Sequence, residues 1–293
     1  MKFSSIVYIE LYKVFRKPRT YIAFGAVAAI VGLIQLGFYA DGDSYMQFGL
    51  QSFSDSFDID GNLMNGYLMA YIILQLLLVH VPLLIALVAG DMISGEAAQG
   101  TLRVLLTKPL SRATLILAKF TATSIYTIAL LLWMAIWALG ISMLVFGVDD
   151  MLILKSDQAT QILSSDVLWR YVAAFLFACL AMITVAAMSF FLSIFAENSI
   201  GPIMATMSII IVFTILNTLD LPIFSNLKPF LFTSHMLGWK GFFDVTVNAD
   251  NEQVIGSIEN LQAVMISAGI LFLHIIGFIA ASIWVFRKKD ILS

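Results

Sequence analysis

Apolar residues run almost unbroken through six stretches of this chain, roughly 20–40, 67–90, 114–146, 171–195, 201–219 and 262–286. A helix needs about 20 residues to cross a hydrocarbon core ~30 Å thick, and each stretch is of that order. The pattern predicts an all-α integral membrane protein with six transmembrane helices, organised as a single transmembrane domain over residues 1–293. It changes character in three places. Over residues 2–17 the period is 3.6, with Phe3, Val7, Leu11, Val14 and Phe15 on one face and Lys2, Lys13, Arg16 and Lys17 on the other. This predicts an N-terminal amphipathic interfacial helix, apolar face down in the inner leaflet and cations on lipid headgroups. Pro18 then breaks it and turns the chain into the first span. Residues 91–113 form a polar interruption between spans 2 and 3. Residues 220–260 carry Phe224, Phe230, Phe232, Trp239 and Phe243, too apolar a set to float in water. They predict an outer interfacial segment that caps the spans, with an exit lid as the sharper alternative.

Composition agrees: 60% of the 293 residues are apolar and 12% charged, against ~45–50% and ~25% in soluble domains. The first span follows four cations, as a signal peptide would, but its run exceeds the usual length of about 7–15 residues and no small-residue cleavage site follows, so it is expected to be retained. Cys179 is alone in an apolar span, which excludes an intrachain disulfide and a thiolate metal cluster.

Lysine and arginine counts orient a membrane protein. With the termini, the 91–113 region and the Glu197–Asn198 turn inside, 12 of the 16 cations are inside, leaving Lys155, Arg170, Lys228 and Lys240 outside. This predicts a multi-pass protein of the bacterial cytoplasmic (inner) membrane with both termini cytoplasmic. Of the 19 acidic residues, 14 fall outside. The charge is basic within and acidic without, and nothing in it suggests nucleic acid.

Polar groups inside spans are the candidates for a substrate path. Span 2 carries Gln75, His80 and Pro82, the proline expected to kink it. His274 lies in the last span. Each polar group needs a partner at that depth, so interhelical hydrogen bonding competes with a path role. Span 3 is over-long: Ser111 to Phe146 would extend about 54 Å at 1.5 Å per residue. Its first two turns, with Arg112 and Lys119, are therefore expected to project into the cytoplasm, and Trp133 and Trp137 to form an outer aromatic belt. "DIDGN" at 58–62 suggests calcium, but the twelfth position counted from Asp58 is Met69 where a loop of that type needs Glu. No metal site is expected.

The 91–113 stretch reads as a rigid bracket. Ser94 is a candidate N-cap with Glu96 at the positive end of a short helix. Gly100 has the place of a C′ glycine. Thr101 can cap a second turn over 102–106, which stops before Pro109, and Ser111 caps span 3. Leu102, Leu105 and Leu106 could offer an apolar contact to a partner, with Glu96 and Arg103 as orienting charges.

The run D-M-I-S-G-E-x-x-x-G-T-L-R-x-L-L-x-x-P-x-S-R-x-x-x-x-x-x-K, Asp91 to Lys119, resembles the signature of type-2 ABC exporter permeases. It is nearest the branch associated with multi-copper-enzyme maturation or gliding. The amphipathic start, the six spans and the segment between spans 5 and 6 extend the resemblance over nearly the whole chain. It implies that the bracket is a cytoplasmic coupling helix docking on an ATPase, through Ser94, Glu96, Gly100, Thr101, Leu102, Arg103, Leu105 and Leu106. It also implies a second permease copy or a related permease around a two-fold axis, with membrane lipid about both.

The chain contains no G-x-x-x-x-G-K-[ST], so ATP and Mg would be bound by a partner P-loop ATPase subunit, with no cofactor in this chain. H-E-x-x-H and G-x-S-x-G are also missing, which argues against an enzyme. The alternatives are a force-transmitting envelope permease homologue without a cargo and an ATP-independent secondary transporter. The latter would usually show inverted repeats, and none is detected.

Overall fold

The computed structural model describes residues 2–50, 64–77, 80–102, 110–154, 159–219, 222–246, 248 and 253–289. Helices occupy all six apolar runs. α1 (Phe3–Arg16) is followed by α2 (Pro18–Leu50), whose helical path breaks at Asp41. α3 (Gly66–Leu76) and α4 (His80–Ala89) share the second apolar run, and α5 (Asp91–Ala98) follows. α6 (Arg112–Phe146) contains a π-helical turn at Ile136–Ile141. After a hairpin of β1 (Met151–Leu154) and β2 (Ala159–Ile162) come α7 (Ser164–Ser193) and α8 (Ile200–Thr218). α9 (Phe232–His235) runs into a 3₁₀ stretch, Met236–Phe243, and α10 (Leu261–Lys288) ends the described chain. Among the described residues, five helices are long and apolar enough to cross a membrane, or six if the bent pair α3 and α4 is one span.

The centre of the bundle is α7. It buries 56% of its most apolar window, while the other four long helices bury 17–28% of theirs. Small buried residues on it, Ala174, Ala181, Ala186, Ala187 and Ser189, let neighbours approach closely. Ser189 donates to the Ala86 carbonyl of α4 at 3.2 Å, and Thr184 to the Leu271 carbonyl of α10 at 3.4 Å. α4, α6, α8 and α10 pack on α7, while α2 packs on α4 and α6; each long helix also keeps apolar residues facing outward.

Three features depart from the expected pattern. The hairpin adds β structure to a chain expected to be all helix. Met151 pairs with Ile162 and Ile153 with Thr160, and Met151, Ile153 and Ile162 point into the core with the period of two a strand imposes. Span 2 is broken ahead of Pro82: α3 and α4 meet at 56°. Pro82 sits in the first turn of α4, where a missing N–H is tolerated. The start of span 3 is not a bare stalk either. α1 lies along it, with Ile6 and Val7 packed on Ala118, so the apolar face expected in the leaflet is spent on protein.

The termini end of the bundle, called here the near end, holds α1, α5, the start of α6 and the end of α10. At the opposite, far end, Asn65 caps α3, accepting from the Tyr67 and Leu68 amides at 3.0 Å and donating to the Asp150 carbonyl at 2.7 Å. The 232–243 stretch caps this end, burying Phe232, Trp239 and Phe243. Trp133 and Trp137 serve the α2–α6 contact: Trp133 Nε1 donates to the Phe24 carbonyl at 3.0 Å, and Gln35 donates to the Trp137 carbonyl at 2.9 Å.

Candidate functional site

α5 leaves α4 through Gly90, where a Cβ would lie 2.8 Å from the Ala86 carbonyl oxygen. It packs against α7 and α8 with Asp91, Met92, Ile93, Ser94 and Gly95 buried. Ser94 is therefore not its N-cap. The helix begins three residues earlier, and the Ser94 hydroxyl donates back to the Gly90 carbonyl. Glu96 lies near the C-terminal end of α5, opposite to the end expected. Gly100 has φ +68° and closes the helix, with its amide donating to the Ala97 carbonyl at 3.0 Å. The Thr101 hydroxyl donates back to the Glu96 carbonyl at 3.3 Å. Leu102 is in the core, 3% exposed, and offers a partner nothing. Arg103, Leu105 and Leu106 lie outside the described residues, as do Pro109 and the 58–62 loop. What α5 exposes is its tip, Ala98 to Thr101.

Charge holds this bracket in place. Asp91, 3% exposed, receives Lys17 Nζ and Arg19 Nη1, each at 2.7 Å, and the Ser199 hydroxyl. Glu96 is met by Lys13 at 2.9 Å and Lys119 at 2.8 Å. Those two lysines also meet Glu10, each at 2.8 Å. Glu10, Lys13, Glu96 and Lys119 thus form a closed ring of alternating charge joining α1, α5 and α6. Lys119 reaches Glu96 through Oε2 and Lys13 reaches it through Oε1, so both carboxylate oxygens face a cation. Burial pushes the Glu96 carboxyl up, but Lys119 and then Lys13 outweigh it and hold it below its ordinary range. Burial likewise pushes Lys13 down, and the two carboxylates more than reverse it. Lys119, expected in cytoplasmic water, is 1% exposed. Of the cations assigned to headgroups, Lys13 and Lys17 face carboxylates instead. Buried pairs of this kind fix an arrangement more reliably than they add stability.

A second clasp closes the near end. Ser111 caps α6, accepting from the Thr114 amide at 3.0 Å. Arg112 Nη1 donates to the carbonyls of Phe286, Arg287 and Lys289 at 3.1, 3.0 and 2.8 Å. The last carbonyls of α10 have no intrahelical donors, and a cation there also complements the helix dipole. Lys289 in turn donates to the Ile194 carbonyl.

The three candidate path residues are not brought together. Gln75 accepts from Lys240 Nζ of the far-end segment at 3.0 Å. His80 is exposed and bonds to the Leu76 carbonyl at 3.1 Å. His274 bonds within α10 to the Ile270 carbonyl at 2.9 Å and lies beside Phe232 and Phe278. Beside α3 and α4 lies an apolar cavity of about 40 Å³, walled also by α6, α7 and the far-end segment.

Sequence reasoning passed over the residues that do the holding: Glu10, Asp91 and the buried face of Lys119. Their signal was visible, as lone charges inside otherwise apolar surfaces. It also passed over a knot at the far end. Arg170, assigned to outside water, is wholly buried, paired with Asp166 at 2.6 Å and donating to the Phe242 carbonyl at 2.7 Å. Asp166 further accepts from Trp169, Gln253 and the Gly256 amide. The Asp166 and Arg170 spacing of four residues was its trace.

No curated protein matches the chain. A family described as a protein of unknown function, DUF2705, matches residues 27–292, which takes in the bracket, the Arg112 clasp and the far-end knot but not Glu10, Lys13, Lys17 and Arg19, and the chain belongs to that family.

Proposed function

We propose that this chain is the transmembrane permease subunit of an ATP-binding-cassette transporter, an exporter driven by a separate P-loop ATPase that docks on the 91–113 coupling region. It works beside a second copy or a related permease in the bacterial cytoplasmic membrane, with both termini and the near end in the cytoplasm. ATP and Mg are bound by the ATPase. One observation carries the reading: α5 is joined by buried charge to α1, the start of α2, α6 and the turn before α8. A push on its exposed tip is delivered to several spans at once rather than absorbed by a loose linker. The signature from Asp91 to Lys119 supports the same assignment.

Among the described residues of the coupling set the docking contact narrows to the tip, since Ser94 and Leu102 are buried; Arg103, Leu105 and Leu106 stay in the proposed contact. Ala98→Arg and Thr101→Arg change exposed positions and leave both charge clusters intact. Each is expected to lower co-purification with the partner P-loop ATPase at least tenfold, and to abolish its stimulation, with unchanged thermal unfolding. Full association and stimulation in both variants would remove the coupling assignment.

A further inference from the structure

At the far end, Lys240 has one hydrogen-bonding partner among the described residues, and that partner is neutral. Its Nζ donates to Gln75 Oε1 at 3.0 Å and lies 5.9 Å from the centre of the Trp239 ring. No carboxylate among the described residues pairs with it. Burial alone acts on its pKa, and pushes it down. The ammonium has lost part of its water and gained no counter-charge from the described residues, a condition that an anionic group would relieve.

The Trp239 ring beside it is also a wall of the apolar cavity. Leu74, next to Gln75 in the chain, is another. The remaining lining is hydrocarbon except for three thioethers, Met134, Met182 and Met236. At about 10–15 Å³ per water-sized group, a cavity of about 40 Å³ has room for about three such groups. A water there would find almost no hydrogen-bonding partners, whereas methylene groups need none. The methionines are unbranched and polarisable, so they can repack around a slightly longer chain. An uncompensated cation and an apolar hole thus share one indole ring between them.

We infer that Lys240, Gln75 and this cavity form a binding site for a small anionic amphiphile, its head on the Lys240 ammonium and the Gln75 amide and its short apolar tail past Trp239 into the cavity. As the site of a carried substrate this rests on the permease reading; as a binding site it belongs to the isolated chain. The head must be anionic because an ammonium head would meet Lys240 as a like charge. A hydroxyl head would lose the charge-assisted bond, roughly twice as strong as a neutral one.

The full chain, in nanodiscs of phosphatidylcholine and without any ATPase, can be photolabelled with a six-carbon carboxylate bearing a diazirine at its tail. The alcohol and amine of the same length serve as comparators, and labelled residues are mapped by mass spectrometry. The carboxylate is expected to label Met236, Met182 or Leu74 at least tenfold more than the amine. Lys240→Gln should reduce that labelling about tenfold and Lys240→Arg restore it. Ala178→Leu, which fills one wall of the cavity, should displace the tail label without changing the unfolding temperature. Should Lys240→Gln prove unfolded, the comparison of the three probes on the wild-type chain decides alone. Equal labelling by all three, or label confined to lipid-facing residues, overturns the site. Because no ATPase is present, neither result depends on whether one docks at the near end.

Discussion

Lys119 sits where three elements meet, and its charge is what two carboxylates share. Removing one member of a buried ionic cluster costs about 3–5 kcal/mol, because the others are left without compensation. Lys119→Met keeps the volume of the side chain and deletes the charge. It is expected to destabilise the protein by roughly that amount, read from thermal or denaturant unfolding in a fixed detergent. Adding Glu10→Gln should return part of the loss, since the neutral amide no longer needs a cation. An unfolding transition unmoved by Lys119→Met would mean the ring holds nothing. The residue was legible as a cation near the start of a span, and cation counting placed it in the cytoplasm. Counting gives a side of the membrane and not a depth, and α1 had to be laid along α6 before Lys119 could be seen as buried.

Elements show the same division. Long apolar runs disclosed the five membrane-length helices among the described residues and the bent pair α3 and α4, because length and composition alone decide whether a segment can cross. The bracket was legible as a short helix closed by Gly100, but its start was misplaced at Ser94. A serine in a first turn and one in a second turn carry the same local signal, and only the burial of α5 against α7 and α8 separates them. The hairpin escaped because its strands are four residues each, too short for alternation to stand out between two spans. Two glycines test how elements are joined. At Gly100 a Cβ would meet nothing within 4 Å, but φ is +68°, so Gly100→Ala should cost only about 1 kcal/mol of backbone strain. At Gly66 a Cβ would lie 2.5 Å from the Met143 Cα, and backbone cannot step aside. Gly66→Ala should therefore cost more, up to about 3 kcal/mol. Unfolding of the two variants side by side checks the order, and a reversal would show that α3 and α6 are not so closely seated.

For the whole molecule, the charge asymmetry becomes a statement about sides. With the near end cytoplasmic, an impermeant maleimide applied to intact cells should label Val148→Cys and Ile255→Cys but spare Gln99→Cys, each in a Cys179→Ser background. All three positions are exposed, so access to the side decides the result. Labelling of Gln99→Cys alone would turn the protein over. The sequence made both ends recognisable in outline, one basic and bracketed, the other acidic and aromatic. It did not disclose that each end is closed by a buried polar knot, because the partners are far apart in the chain. Lys119 and Glu10 are 109 positions apart, and Arg170 reaches the Phe242 carbonyl across 72.

The Arg112 clasp carries such separation furthest. Its three carbonyl acceptors lie 174 to 177 positions downstream. At about 5–20 residues per second, roughly 9–35 s of synthesis pass between the appearance of the guanidinium and of its acceptors. Throughout that interval the start of α6 and the bracket before it stand open at the near end. A chain interrupted before its last helix lacks all three acceptors, and on the proposed orientation it would display its own incompleteness to cytoplasmic quality-control proteases.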